Sequence, residues 1–316
     1  MFPNLSAELR KLLSSFPKED KIIFNGKQIQ IDPSNFISLL AANSSAKIAF
    51  VDGGQAEILS AGNFCLSFIR VFAQVFDGEK KTEFFKREFY LLTSASWKND
   101  DLYYSSKIFP ILEETLISEE DLLLSSNDAS LKSGIERAAP SKITNLARRF
   151  SELALAAELQ SKCDYVVLDG TLDKTYTHEE KYLKLLSSNV CSLAKSSSLF
   201  TVSGNSPVVL LSKLGPFSCW RYFLENQTYF VKLHERAKHV FRFEGNPDVL
   251  PHLIHNSHDA LFLGYPYGLI LADQFARVSN EERSSLRMNL LLKAENKDVL
   301  KYLSSSDAHA ILDNLG

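Results

Sequence analysis

Two short apolar runs in this sequence each end on an aspartate followed by glycine. One is Cys163-Asp164-Tyr165-Val166-Val167-Leu168-Asp169-Gly170, and the other is Lys47-Ile48-Ala49-Phe50-Val51-Asp52-Gly53-Gly54. Runs this short, β-branched at the centre in the first case, read as buried strands rather than helices. An acid at the C-terminal end of a buried strand stands at the mouth of the sheet, where open α/β folds keep their chemistry. Asp-Gly by itself is an ordinary turn signal. Two such strands, with Glu152 on a helix between them, favour a grouping of Asp52, Glu152 and Asp169 instead.

The elements that must hold these acids can be read from periodicity. Three β-like blocks, Lys47 to Leu59, Asn63 to Phe76 and Glu83 to Ser94, are joined by short turns and predict an antiparallel meander. Lys98 to Pro140 is rich in acids and Ser/Asn/Asp, which predicts a partly helical excursion on the surface. Ser141 to Gln160 places Ile143, Leu146, Ala147, Phe150, Leu153 and Ala157 on one helical face. The strand ending on Asp169 follows, then a helix over His178 to Ser188 and a strand over Asn189 to Ala194 that reaches Lys195. A second meander spans Ser218 to Phe243, and helices are expected over Asn246 to Leu261, Leu269 to Val278, Glu281 to Ala294 and Asp298 to Leu315. A short amphipathic helix (Ser6 to Leu13) and a hairpin around Asn25-Gly26 precede all of this.

Composition narrows the class. With 45% hydrophobic and 23% charged residues the chain has material for a substantial core. A net charge of -3 gives no global sign of nucleic-acid binding, although local basic patches carry that function and an acidic metal site lowers the total. The four cysteines form no CxxC, which argues against zinc or a redox pair, and Cys65 and Cys163 read as buried thiols of a cytoplasmic protein. Neither a signal peptide nor a membrane-spanning stretch is visible.

The order β(Asp52)-β-β-α(Glu152)-β(Asp169)-α-β resembles the ribonuclease-H-like nuclease fold. That resemblance implies an α/β protein with a mixed sheet flanked by helices, in which the strands of Asp52 and Asp169 lie side by side and Glu152 approaches from its helix. Carboxylates so placed repel one another unless a divalent cation neutralises them. Hard oxygen ligands select Mn²⁺ or Mg²⁺ over zinc, and such ions promote phosphodiester hydrolysis.

Several blocks are similar to the NurA nuclease family of DNA-end-processing enzymes. They are Val51-Asp52-Gly53-Gly54, Arg149-x-x-Glu152, Val167-Leu168-Asp169-Gly170-Thr171-Leu172, Ser192-Leu193-Ala194-Lys195 and Gly264-Tyr265-Pro266-x-x-Leu269-x-x-Ala272. The resemblance implies a single nuclease domain over residues 1–316, with an insertion at 98–140 and C-terminal helices at 281–316. It also implies a Mn²⁺- or Mg²⁺-dependent deoxyribonuclease, a homodimer coupled to a HerA-like hexameric ATPase and acting on single strands or DNA ends in repair. The metal-binding acids fall on Asp52, Glu152 and Asp169, and the functional tyrosine on Tyr265. Two positions depart from the family: Gly54 stands where serine is common, and Asp273 where histidine is usual. Aspartate can serve as a fourth metal ligand but cannot shuttle protons as imidazole does near neutrality.

Lesser signals complete the reading. Lys195 is a candidate contact for the scissile phosphate, and Arg148 and Arg149 suit phosphate contacts. Lys80, Lys81, Lys86 and Arg87 form a basic run that either lines a DNA path or is a solvated face. His252, His255 and His258 recur every third residue, a spacing that drifts around a helix and favours exposed side chains over a metal site. The alternatives are a non-catalytic DNA-binding or assembly subunit, kept open by Asp273, and an actin-like ATPase. The ATPase lacks support because no Gly-Gly segment follows the second Asp-Gly block.

Overall fold

The computed structural model describes residues 2–17, 19–43, 45–111 and 114–306. In chain order come helix α1 (Phe2–Ser15), the hairpin β1 (Lys21–Phe24) and β2 (Lys27–Gln30), and the short β3 (Phe36–Ser38). The meander β4 (Lys47–Ala61), β5 (Phe64–Asp77), β6 (Lys80–Lys98) and β7 (Asp101–Pro110) leads to the two-residue β8 (Leu124–Ser125). Helix α2 (Lys142–Leu159), strand β9 (Tyr165–Asp169), helix α3 (Glu179–Leu183) and strand β10 (Val190–Ala194) follow. Helix α4 (Pro207–Leu214), strands β11 (Trp220–Glu225), β12 (Thr228–Lys232) and β13 (Phe241–Glu244), and helices α5 (Leu250–His255), α6 (Tyr267–Ala276), α7 (Asn280–Leu291) and α8 (Lys297–Ser306) complete the chain.

Contacts gather the described residues into two compact units, one from 1–46, 169–171 and 191–267, the other from 47–168, 172–190 and 268–316. In the first unit the strands run in the order β3-β11-β12-β13-β10 with antiparallel neighbours. Its core holds Ile22, Phe24, Leu211, Trp220, Tyr222 and Phe230. Asn25 and Gly26 both take positive φ, the conformation that lets a two-residue turn match the twist of β1 and β2.

In the second unit the order is β9-β4-β5-β6-β7-β8, and β9 runs parallel to β4 while the rest of the pairs are antiparallel. The result is an α/β architecture with a mixed sheet flanked by helices. Helix α2 covers one face, burying Ile143, Leu146, Ala147, Phe150 and Leu153 against Ala49 and Val51 of β4. The alternate residues of β4 face the other way: a Cβ on Gly268 of α6 would meet the Phe50 ring at 2.1 Å, and one on Gly54 would meet the Ala276 carbonyl oxygen at 2.0 Å. Odd-numbered positions around Asp52 thus face α2 and even-numbered positions face α6, the period of a strand. Among the described residues no helix is long and apolar enough to cross a membrane.

Residues 98–140 are not the helical surface insertion expected from their acidity. Asn99 and Asp100 adopt positive φ and turn the chain back into β7, which pairs with β6 from Lys98↔Asp101 to Phe89↔Pro110. Leu122, Leu124 and Leu131 then enter the core beneath α2, and among the described residues the segment's helical content is a single 3₁₀ turn at Glu119–Leu122. Asp101 opens β7, whereas Glu119, Glu120 and Asp121 fall in the 3₁₀ turn, so the acidity of the segment says little about its strand. The helices expected over His178 to Ser188 and Asn246 to Leu261 shrink to α3 and α5, and β3 and α4 were not anticipated. Residues 307–315 of the expected last helix, and Glu113, lie outside the described residues.

Candidate active site

The site grows from one strand pair. Strands β4 and β9 run parallel in the register Ile48↔Tyr165 to Val51↔Leu168, so the next residue in each is an aspartate. β9 stops at its aspartate while β4 runs on past Asp52 to Ala61, and neighbouring strands lie about 4.8 Å apart, which sets the two acids side by side. Helix α6 adds Asp273. One carboxylate oxygen from each of Asp52, Asp169 and Asp273 lies within 4.8 Å of the other two, with Asp52 buried and the others half-buried. None of the closely spaced histidines belongs to this group; the His255 ring Nε2 instead meets the Ala42 carbonyl at 2.7 Å.

Each acid is held by its own partners. Asp52 Oδ1 accepts from the Gly53 amide at 2.7 Å. Asp169 Oδ1 accepts from the Tyr265 hydroxyl at 3.1 Å, and Asp169 Oδ2 lies 2.6 Å from the Lys195 ammonium. That ammonium also sits 5.4 Å from the centre of the Tyr265 ring. Tyr265 itself is 0% exposed, packed between Phe241 and Phe262. Lys195 reaches Asp169 because the Gly170 amide donates to Leu193 O at 3.2 Å, aligning the chain after β9 with the end of β10. Asp273 is bound by Arg277 at 2.8 Å, one helical turn along α6.

Glu152 is not one of the three converging acids. It comes from α2, and its Oε1 occupies the place where a Cβ on Gly53 would lie at 2.4 Å, so a side chain at that position would displace it. Because Gly53 follows Asp52 in the strand, this approach is from the α2 face. Arg148 Nη1 ties the arrangement together, donating to Gly53 O at 3.0 Å and to Glu152 Oε1 at 2.7 Å. Arg149 turns away from it and pairs at 2.8 Å with Glu179, which is fully buried. The second oxygen of Glu179 accepts from the Thr175 and Tyr176 amides at 2.6 and 2.8 Å, and so pins the chain between Asp169 and α3.

The basic run on β6 is divided by the pleat. Lys86 pairs with Glu88 at 3.0 Å, and Arg87 with Glu158 at 2.8 Å. Sequence reasoning missed Arg277 and Glu179. The i,i+4 spacing of Asp273 and Arg277 was a readable signal, whereas Glu179 beside exposed Glu180 gave none.

No family model and no curated protein matches this chain. Its structure is similar to that of the NurA nuclease from Sulfolobus solfataricus, with a TM-score of 0.54 and 14% identity over 94% of this chain and 95% of that one. It also matches endonuclease V from Ciona intestinalis in complex with an inosine-containing DNA, with a TM-score of 0.39 and 11% identity over 75% and 86% of the chains. The catalytic domain of human endonuclease V matches with a TM-score of 0.38 and 10% identity over 82% and 93%. The chain thus has the mixed-sheet, ribonuclease-H-like fold of the NurA nuclease structure.

Proposed function

We propose that this protein is a divalent-metal-dependent deoxyribonuclease that cleaves single strands or DNA ends during repair. The observation that carries the reading is the convergence of Asp52, Asp169 and Asp273. Lys195 and Arg277 offset part of the repulsion among the three carboxylates, a divalent cation between them would offset the rest, and an all-oxygen donor set suits Mn²⁺ or Mg²⁺. Bound there, such an ion supplies charge stabilisation of phosphoryl oxygens and lowers the pKa of water.

The chain's own residues divide the remaining work. Lys195, partly open to solvent, places a positive charge beside Asp169 and meets the scissile phosphate. Tyr265 is sealed from solvent, so it is a positioning residue: its hydroxyl fixes the rotamer of Asp169. Glu152 and Arg148 brace β4 at Gly53 from the α2 face, and Arg148 keeps donors free for a DNA phosphate. Arg149 acts through Glu179 on the loop after β9. The same reading includes a homodimer working in the cytoplasm with a HerA-like hexameric ATPase, residues 1–316 acting as one nuclease. Leu5, Leu9 and Leu12, exposed at i, i+4 and i+7 on α1, supply an apolar row for such assembly.

The test is digestion of labelled single-stranded and duplex DNA with Mn²⁺, with Mg²⁺ and in EDTA. Cleavage that needs the ion and disappears in Asp52→Asn and Asp169→Asn is expected. Ion-independent cleavage, or full activity in either variant, overturns the proposal. The Asp273–Arg277 ion pair favours one second reading, a catalytically weakened DNA-binding subunit, because Arg277 competes with a cation for the Asp273 charge. DNA binding by the wild type with no cleavage under any ion would select it.

A further inference from the structure

Beside the acid group, the face of the sheet toward α6 carries a stack of three phenylalanine rings. Phe72 of β5 is the cross-strand partner of Asp52, which puts the two side chains on one face. The Phe72 ring lies 5.0 Å from that of Phe275, at 29°, and 5.8 Å from that of Phe84, at 15°. Phe275 is two residues past Asp273 on α6. Phe72 is buried within the stack, but its neighbours are open: Phe84 is 66% exposed and Phe275 54%. Large apolar rings are normally buried, and two left in water beside an acid group, each stacked on the same buried ring, present surface to something flat.

We propose that Phe84 and Phe275, each stacked on Phe72, form a stacking platform for the unpaired bases of a single nucleic-acid strand whose backbone passes the acid group. The proposal rests on the nuclease reading above and deepens it by naming the substrate form. Aromatic platforms bind single strands without regard to sequence because every base has a π-face, whereas duplex bases are already stacked on one another. Phenylalanine, with no hydrogen-bonding group, suits that indifference. Charge complements the rings. Lys86 is the cross-strand partner of Phe72 and Lys81 that of Phe76, so both ammonium groups rise from the same face to meet the phosphates between the stacked bases. Lys86 exchanges Glu88 for a phosphate in doing so.

The experiment measures binding of a fluorescein-labelled single-stranded oligonucleotide by anisotropy in EDTA, for wild type, Phe84→Ala, Phe275→Ala, the double variant and Phe275→Tyr. Each alanine should weaken binding about fivefold or more, and tyrosine should restore it to within about twofold. Duplex affinity should stay unchanged. An oligonucleotide carrying abasic positions should bind the wild type as weakly as the intact strand binds the double variant. With Mn²⁺, the alanine variants should raise KM and leave kcat unaltered. Unchanged single-strand affinity in a double variant that melts like wild type overturns the platform, as does absence of single-strand binding by the wild type. A change in sedimenting mass without a change in affinity also overturns it, by assigning the rings to a contact between copies of this chain. Ring-dependent binding without Mn²⁺-dependent cleavage would keep the platform and sink the nuclease reading; cleavage with ring-independent binding would do the reverse.

Discussion

At the scale of single residues, the chemistry depends on how each carboxylate is held. Asp273 is one of the two residues that depart from the family resemblance, and its oxygen joins Asp52 and Asp169. Asp273→Asn should therefore raise the Mn²⁺ concentration needed for half-maximal cleavage, while Asp273→His should retain cleavage because imidazole also binds Mn²⁺. A metal titration that is the same in both variants and the wild type would remove Asp273 from the site. Tyr265→Phe tests positioning. Losing an outer hydrogen bond to a ligand typically lowers metal affinity or activity about 10–100-fold. That drop, with the pH profile of cleavage unchanged, is the expected result, since the buried phenol orients Asp169 and moves no proton.

At the scale of elements, three glycines decide how closely helices approach β4. A Cβ on Gly54 would strike backbone, the Ala276 carbonyl oxygen, which cannot swing aside as a side chain can. Gly54→Ser, the commoner family residue, should destabilise this chain by about 1–3 kcal/mol through overpacking. Thermal melting reads this, and an unchanged midpoint would show that α6 adjusts freely. The hairpin of β6 and β7 carries a pH-dependent support. The Ser125 hydroxyl and then Arg137, at 2.8 Å, hold the Asp101 carboxyl down at about 2, from its ordinary 3.8. The folded value lies below the unfolded one, so the stabilisation is complete above about pH 4 and is lost as pH falls through about 2. Asp101→Asn should accordingly lower the melting temperature at pH 6, with the difference from wild type closing toward pH 2. A constant difference across that range would mean that the carboxylate's charge is not what matters.

At the scale of the whole molecule, the open leucines of α1 give the proposed assembly a test that leaves the acid group untouched. Leu9→Asp with Leu12→Asp should leave cleavage intact and stability within about 0.5 kcal/mol, as is usual for surface changes. It should weaken co-sedimentation with a HerA-like ATPase or shift the chain's own mass, and co-sedimentation and mass both like those of wild type would move the contact elsewhere. The sequence alone determined what local rules encode. It showed one strand that carries Asp52 and one that ends on Asp169, the meander, and α2, whose apolar period of 3.6 is carried by side chains a few residues apart. The types of the acids also fit the hard-oxygen metal site proposed above. Only the tertiary structure decided which acids share a space, because strand register and helix approach are set by long-range packing. The β4/β9 register aligned Asp52 with Asp169, and the glycine contacts of α6 brought Asp273 rather than Glu152 into the group. Likewise β7 is a strand because it finds an open edge on β6, and the Phe84–Phe72–Phe275 stack exists only where α6 crosses that face, joining residues that no local window contains.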